Sequence, residues 1–245
     1  MSVILLFTVS SVFSQTVEED KRIYIGFEGG VQFTKISDSY AFSNLPKSKS
    51  GFSTGFFADY KFTDLVKVRV GLYYDNRGFI QQDVFTPIRD SAFISYNSYF
   101  ATDLNYTLNY LTIPLSIFYT KGNDKFAFYI QGSIYYSILL NAHRTGHTEL
   151  YIFPEHAQYF ETPEFQVAGS TITNYNKEDV YDTFSGNDWG VQLFFGALYH
   201  INKKISIQLS PGFTVAFADL YADPSRNSKW SSIYKINAGI IYKIN

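Results

Sequence analysis

The chain has 245 residues with a formal net charge of −2, no Cys and a mean hydropathy of −0.09. This charge balance provides no basic surface for nucleic acid, and the lack of Cys excludes disulfides, thiolate metal sites, cysteine nucleophiles and lipoprotein acylation. The mean hydropathy is too low for a bundle of membrane-spanning helices, whereas a membrane barrel exposes only alternate residues to lipid. The 21 Tyr and 24 Phe exceed the needs of a soluble core and suit a membrane interface.

The first 15 residues, MSVILLFTVSSVFSQ, have the pattern of a secretory signal peptide. An apolar core precedes small residues, and Val12 and Ser14 are placed for cleavage before Gln15. A membrane-spanning helix is the alternative, but the apolar run has about half of the roughly 20 residues that such a helix requires. We therefore predict a signal peptide at residues 1–14 and, because the composition does not change along the remaining chain, one domain at residues 15–245.

The first predicted strand begins near Arg22 and alternates between apolar and polar residues as far as Thr34. A stretch rich in Ser, Asn and Lys at residues 36–50 predicts a loop. Residues 51–77 then form two long strands of period two, separated by a tight turn at residues 63–65. One face of this hairpin is aromatic and β-branched and the other carries Gly and charges, which favours a membrane barrel over a soluble sheet.

The next connection, at residues 79–103, contains Pro87 and several acids and predicts an exposed loop, into which the flanking strands could extend at its edges. The fourth strand, NYLTIPLSIFY, has Pro114 in its interior, so we expect a bulge or a missing ladder hydrogen bond there. The residues before it alternate in the opposite phase, which predicts a register break near Asn109. A polar turn at residues 121–124 leads to a fifth strand.

The longest connection, at residues 141–187, predicts a functional or mobile loop. Its apolar residues cluster in two runs around Pro154 and Pro163, and these runs could form a hairpin that raises the strand count to ten. Three more alternating strands complete the chain, beginning near Trp189, Ile205 and Tyr234.

The eight predicted strands are joined by connections that alternate between long and short. Outer-membrane barrels have brief periplasmic turns and extended external loops, so this order carries topological information. We predict an all-β fold, an eight-stranded antiparallel up-and-down transmembrane β-barrel whose apolar rows face outer-membrane lipid, with ten strands as the alternative. A soluble carrier of lipocalin type would have its apolar residues inside, and the many glycines and opposite charges of the polar rows argue against it.

Several segments resemble one family of proteins: YLTIPL at residues 110–115, GFFADYKF and VRVGLYYDNRG within residues 55–78, and FYIQGSIYYSILL at residues 128–140. They are similar to the PorT-like outer-membrane β-barrel family of Bacteroidetes-type bacteria, and YLTIPL is the most specific of them. The resemblance spans the mature chain except residues 141–187. It implies an eight-stranded barrel in the outer membrane of a Gram-negative bacterium, and the signal peptide predicted at residues 1–14 implies export with cleavage. The founding member of the family is linked to protein secretion, whereas most relatives have no assigned activity.

Candidate metal-binding and catalytic residues form only weak patterns in the sequence. His143 and His147 are four residues apart, with Glu149 and His156 nearby, and this spacing would align metal ligands on a helix. Because this Gly-containing stretch does not favour a helix, solvated loop histidines are the simpler interpretation. His200, near a turn, is interpreted as a satisfied lumen or interface histidine. No motif identifies a Ser, His and acid set or a G-x-S-x-G elbow. We therefore predict no enzymatic activity, no catalytic, cofactor-binding or metal residues and no cofactor, with a lipid- or peptide-hydrolysing barrel as the alternative.

The charges on the polar rows could line a small pore or fill a closed lumen. An eight-stranded barrel is just wide enough for its own side chains, so we expect these charges to pair across the lumen. The charges are Glu28, Asp59, Lys61, Lys67, Arg69, Asp75, Lys235 and Lys243, and the aromatic residues expected beside them are Tyr24, Phe57, Tyr73, Tyr129 and Tyr135. We therefore expect the protein to act as a structural or interaction component that binds protein or glycan partners through the loops at 79–103 and 141–187.

Overall fold

The computed structural model describes residues 22–37, 47–85, 98–152, 169–223 and 230–244. Within these ranges the chain forms nine β-strands and one short 3-10 turn at Tyr181–Thr183. No helix in the described ranges is long and apolar enough to cross a membrane. The strands are β1 (Ile23–Ser37), β2 (Lys47–Lys61), β3 (Val66–Phe85), β4 (Ser98–Gly122), β5 (Phe126–Ile152), β6 (Gly169–Asp179), β7 (Asn187–His200), β8 (Ile205–Ala216) and β9 (Trp230–Lys243).

Eight of the nine strands close into a ring of antiparallel neighbours. Successive strands pair from β1 to β5, β5 pairs with β7, and β8 and β9 continue the ring. β9 closes on β1 over a long register that runs from Tyr24 opposite Lys243 to Ser37 opposite Trp230. The predicted eight-stranded up-and-down barrel is therefore confirmed, and ring closure pairs the strand edges that an open sheet would expose.

Side chains on the ring strands alternate between the outside of the barrel and its lumen. The outward row is apolar and exposed, with Phe56 and Phe128 each 68% exposed and Ile134 63% exposed. The inward row is buried although it carries charges, with Arg69 2% exposed and Asp75 0% exposed. A soluble carrier would have the reverse polarity, so the apolar rows are confirmed as the face that suits lipid.

Three short turns join ring strands at one end of the barrel, which we call the short-turn end. In the first of two similar turns, Asn123 Oδ1 accepts hydrogen bonds from the backbone N–H groups of Lys125 and Phe126 at 3.0 and 2.8 Å. Asn202 makes the same two contacts in the turn at residues 201–204. The opposite end carries the longer connections, and we call it the long-loop end. Short turns at one end and long connections at the other are the arrangement of outer-membrane barrels.

The long loops predicted at 79–103 and 141–187 are mostly strand within the described residues. β3 and β4 extend into the first, and β5 and β6 extend into the second. Beyond the membrane neither face of a strand meets lipid, so the apolar alternation fades there while the backbone pairing continues. The strand extensions expected at the edges of residues 79–103 are therefore present, whereas residues 141–152 and 169–179 form paired strands rather than a loop. Pro154 and Pro163, around which a hairpin was predicted, lie outside the described residues.

β6 lies outside the ring and pairs with residues 143–152 of β5. The pairing contains a register shift between Arg144 and Gly146, and Gly146 has a φ of +125°, a conformation that favours glycine. In the described part of the chain the ring has eight strands and β6 is a ninth strand beside it. The ten-stranded alternative is therefore not supported.

Both irregularities predicted for β4 are present. The register between β4 and β5 shifts between Asn109 and Tyr110, as the change in alternation phase predicted. The pairing of β4 with β3 is interrupted at Pro114, although the register is the same on both sides of the gap. Proline has no N–H to donate, so the gap is the predicted missing hydrogen bond rather than a bulge.

Candidate functional site

The lumen contains two clusters of buried charges, and the first is centred on Arg69. Its guanidinium forms a bidentate salt bridge with Asp59, in which Nε donates to Oδ1 at 2.6 Å and Nη2 donates to Oδ2 at 3.0 Å. Arg69 also donates to Glu28 Oε2 at 3.4 Å and to Gln208 Oε1 at 3.0 Å, and Gln208 donates to Glu28. We call these four residues the Arg69 cluster. They come from β1, β2, β3 and β8, so the cluster connects distant parts of the barrel wall.

The second cluster lies nearer the long-loop end and is centred on Asp75. Its carboxylate accepts hydrogen bonds from Lys235 Nζ at 3.0 and 3.1 Å, Arg77 Nη2 at 2.9 Å and Thr112 Oγ1 at 2.8 Å. Arg77 Nη1 donates to Asp188 Oδ2 at 2.6 Å. We call these five residues the Asp75 cluster. Burial of charge is tolerated here because each cation meets a carboxylate with good hydrogen-bond geometry.

Apolar side chains fill the lumen around Arg69 and towards the short-turn end. The guanidinium carbon of Arg69 lies 3.4 Å from the centre of the Phe57 ring and 4.5 Å from that of Phe118. Glycine makes room for the rings, because a Cβ on Gly26 would overlap Phe57 and one on Gly196 would overlap Tyr129. The buried members of this group are Phe57, Tyr73, Phe118, Ala127, Tyr129, Leu198 and Ile241.

A second apolar group, the roof cluster, closes the long-loop end of the lumen. Its centre is Phe184, which follows the 3-10 turn, is 2% exposed and forms a backbone bridge with Tyr221. The Phe184 ring stacks on Tyr221 at 5.5 Å and meets the rings of Tyr106 and Phe79 edge-on at 5.7 and 6.2 Å. The buried members of the roof cluster are Ile36, Phe79, Leu104, Tyr106, Leu108, Tyr110, Leu139, Ala142, Val180 and Phe184.

Little free space remains between the two apolar groups. One cavity of about 20 Å³ lies between the roof cluster and the Asp75 cluster, with Arg77, Tyr110 and Asp188 in its wall. Another of about 20 Å³ is bounded by Glu28, Tyr73 and Lys235. Each cavity has room for about one water molecule.

The charge pairing predicted for the lumen is confirmed for Glu28, Asp59, Arg69, Asp75 and Lys235, which all belong to the two clusters. The other three predicted lysines lie at the short-turn end, where Lys61 pairs with Asp64 of the turn at 2.5 Å and Lys67 Nζ lies 4.9 Å from the Tyr24 ring centre. Of the five predicted aromatic residues, Tyr24 is half-buried and the others are buried.

Sequence reasoning missed Arg77 and Asp188, which are 4% and 7% exposed. Arg77 was placed at the end of a strand and Asp188 just after a predicted loop. Their alternation with the neighbouring inward residues, Asp75 before Arg77 and Gly190 after Asp188, was the signal that could have found them.

The strands that extend past the long-loop end form a second feature, which we call the outer sheet. It consists of residues 78–85 of β3, 98–107 of β4, 143–152 of β5 and all of β6, paired in that order.

A salt bridge ties β6 into the outer sheet. Arg144 Nε donates to Glu178 Oε2 at 2.7 Å, and the Arg144 guanidinium lies 4.0 Å from the centre of the Tyr175 ring. The hydrogen bond with Glu178 raises the pKa of Arg144 above its usual value. Tyr175 packs against the roof cluster, so β6 is fixed to the barrel mouth by its side chains as well as by its backbone.

His143 and His147 are not placed together as a pair of metal ligands. His143 and His147 lie on β5 rather than in a loop, and side chains four residues apart in a strand are about 13 Å apart. His156 is outside the described residues. Among the residues that the structure describes, no group of three His, Asp or Glu side chains is placed to hold a metal ion.

His200 is satisfied locally, as predicted. It is half-buried at the end of β7, and its Nδ1 lies 2.7 Å from Ser206 Oγ. A hydrolytic triad would also need a carboxylate or amide hydrogen-bonded to the other ring nitrogen, and none of the described residues supplies one.

Residues 13–222 match the model of a family described as outer membrane protein beta-barrel domain. A search of the curated proteins finds no match for the sequence. Three similar solved structures are the outer membrane protein OprG from Pseudomonas aeruginosa (13% identity, 92% of this chain and 97% of that chain, TM-score 0.46), Neisserial surface protein A (12%, 91% and 97%, 0.40) and the outer membrane protease OmpT from Escherichia coli (9%, 94% and 99%, 0.37). The family match covers most of the chain and agrees with the closed ring of eight strands. This chain belongs to the outer membrane protein beta-barrel domain family.

Proposed function

We propose that this protein is a non-enzymatic structural or interaction component of the outer membrane that binds a protein or glycan partner through its outer sheet. The short-turn end then faces the periplasm and the long-loop end faces the cell exterior. The observation that carries the proposal is the outer sheet itself, because four paired strands continue past the barrel mouth and are held there by the roof cluster.

The outer sheet offers a rigid surface for recognition. Its backbone is already paired and Tyr175 is anchored, so a partner would not need to order a long loop before binding. β6 presents Thr171, Thr173 and Asn174 to solvent, with Ile172 among them at 54% exposure. An exposed apolar side chain surrounded by hydroxyl and amide groups suits a protein or glycan contact.

The filled lumen supports the same proposal, because its cavities of about 20 Å³ are too small to take a partner into the barrel interior. The residues of a hydrolytic triad do not come together at His200, since its neighbour is Ser206 and none of the described carboxylates is hydrogen-bonded to it. The narrower resemblance to the PorT-like family, and the link to protein secretion that it implies, stay predictions.

The proposal is tested by removing the outer part of the sheet while keeping the barrel closed. Arg144 and Glu178 are opposite each other, so residues 145–177 can be replaced by an Asn-Gly turn that joins these two positions. We expect this variant to insert into the outer membrane as the parent does and to lose the parent's neighbours in surface proximity labelling. A matched control replaces residues 38–46 with a Gly-Ser segment of equal length. If the shortened protein keeps every neighbour of the parent, the outer sheet is not the binding surface.

A further inference from the structure

A wide vestibule opens at the short-turn end, with a volume of about 1060 Å³. It is surrounded by the three short turns and by β9, while Tyr24, Ala127, Leu198 and Ile241 form an apolar floor that separates it from the Arg69 cluster. Seven lysines line it: Lys61, Lys67, Lys121, Lys125, Lys203, Lys204 and Lys243. We call this space the basic vestibule.

The charge of the basic vestibule differs from that of the whole chain. The chain has a net charge of −2, whereas the lining of the vestibule combines seven lysines with two carboxylates, Asp64 and Asp124. The Asp64 carboxylate forms a salt bridge with Lys61 at 2.5 Å. Lysines brought together from separate turns repel one another. The concave wall of low dielectric focuses their positive field, and this field attracts a soluble anion.

The floor of the basic vestibule also contains an unused hydrogen-bond donor. Thr120 is 8% exposed and lines the vestibule, and its Oγ1 has no hydrogen-bond partner. A buried hydroxyl without a partner is unfavourable, so a ligand oxygen at this position would remove an existing cost. Lys67 is half-buried on the same floor, with its Nζ 4.9 Å from the Tyr24 ring centre. The floor thus provides a neutral donor and a cation.

We propose that the basic vestibule binds a soluble, multivalent phosphate-bearing anion from the periplasm, with Thr120 Oγ1 and Lys67 Nζ at the floor and the other lysines around it. The lining contains lysine and no arginine. Lysine binds phosphate as a point charge, whereas bidentate recognition of a planar carboxylate favours arginine, so the lining suits a phosphate group better. The source is a soluble anion because Thr120 faces the barrel axis, whereas lipid headgroups surround the outside of the turns. This site is at the opposite end from the outer sheet, so it does not rest on the function proposed above.

The test uses the full-length mature protein in an uncharged detergent and inorganic tripolyphosphate as the probe, with binding measured by calorimetry. We expect saturable binding that weakens from tripolyphosphate to pyrophosphate to phosphate and falls as NaCl is raised. Thr120→Val keeps the side-chain shape and removes the hydroxyl, and Lys67→Gln removes the charge. Each should weaken binding about tenfold or more.

Matched controls separate a built site from general attraction to lysine. Thr214 is also buried with an unpaired Oγ1 but lies outside the vestibule, and Lys177 is exposed on β6. Thr214→Val and Lys177→Gln should leave binding unchanged. Absence of binding by the parent, or equal weakening by Thr120→Val and Thr214→Val, overturns the proposal.

Two further experiments test whether another ligand fills the basic vestibule. Glu18, Glu19 and Asp20 precede Arg22, whose carbonyl accepts a hydrogen bond from Lys61 N at 2.8 Å. If tripolyphosphate binds only after these three residues are changed to Gln, Gln and Asn, the occupant is the protein's own acidic segment and the proposal fails. If nanodiscs of phosphatidylglycerol abolish binding while those of phosphatidylcholine do not, headgroup phosphate is the ligand and a soluble source is excluded.

Discussion

At the scale of single residues, Asp75 balances two buried cations, so its loss should be costly. Its carboxylate is 0% exposed and accepts hydrogen bonds from Lys235, Arg77 and Thr112. Asp75→Ala would remove the carboxylate that Lys235 and Arg77 share and leave their charges undercompensated. We expect the free energy of unfolding to fall by about 3 to 5 kcal/mol, measured by urea unfolding in detergent micelles.

Two further variants identify the cause of that loss. Asp103 is exposed on the outer sheet and accepts a hydrogen bond from Gln82 at 3.1 Å, so Asp103→Ala should change stability by about 0.5 kcal/mol or less. The double variant Asp75→Leu, Lys235→Met should recover part of the stability, because an apolar pair can replace a buried ion pair. An equal loss for Asp75→Ala and Asp103→Ala would contradict the role given to the Asp75 cluster.

At the scale of elements, the segment at residues 180–186 depends on Phe184 for its position over the barrel mouth. The Phe184 ring contacts Tyr106, Phe79 and Tyr221, and Ser185 N donates to Leu220 O at 2.9 Å. Phe184→Ala would leave a cavity worth about 3 to 5 kcal/mol, so local opening should become at least about 100-fold more frequent. Hydrogen exchange of the Ser185 amide in micelles measures this opening.

The barrel strands provide the internal reference for that experiment, since their amides should exchange at parent rates in Phe184→Ala. Tyr181 lies in the same segment but is 39% exposed, and Tyr181→Ala should leave the Ser185 amide protected. Faster exchange throughout the ring would mean that Phe184 supports the whole barrel rather than the segment over its mouth.

Elements within the membrane were predictable from the sequence because lipid and lumen impose opposite polarity on alternate residues. The turn at 63–65 and the shift near Asn109 followed from this alternation, and the interruption at Pro114 followed from the missing N–H of proline. The outer sheet was not predictable in this way, since both of its faces meet water or protein. The 3-10 turn and Phe184 were missed for a further reason: their position depends on contacts with Tyr221 and Phe79, which are distant in sequence.

At the scale of the whole molecule, the filled lumen predicts a barrel that does not conduct. Buried rings close both ends, the two charge clusters occupy the middle, and each described cavity between them has room for about one water molecule. Purified protein reconstituted in planar bilayers should therefore give the current of a protein-free membrane. Steady, step-like openings from the monomer would show that the lumen is a pore and that its charges serve ion passage.

The contact between Glu28 and Gln208 joins residues that are 180 positions apart in the chain. Glu28 lies on the first strand, and Lys235, the partner of Asp75, lies on the last, so both charge clusters remain incomplete until β9 has docked on β1. During biogenesis, sealing of the wall and completion of the two charge clusters therefore become the same event, although the pairs Asp59–Arg69 and Asp75–Arg77 can form earlier within β2 and β3. A chain arrested one strand short would leave Asp75 with Arg77 but without Lys235 in an unsealed barrel, which gives the nascent barrel an electrostatic reason to complete its closure.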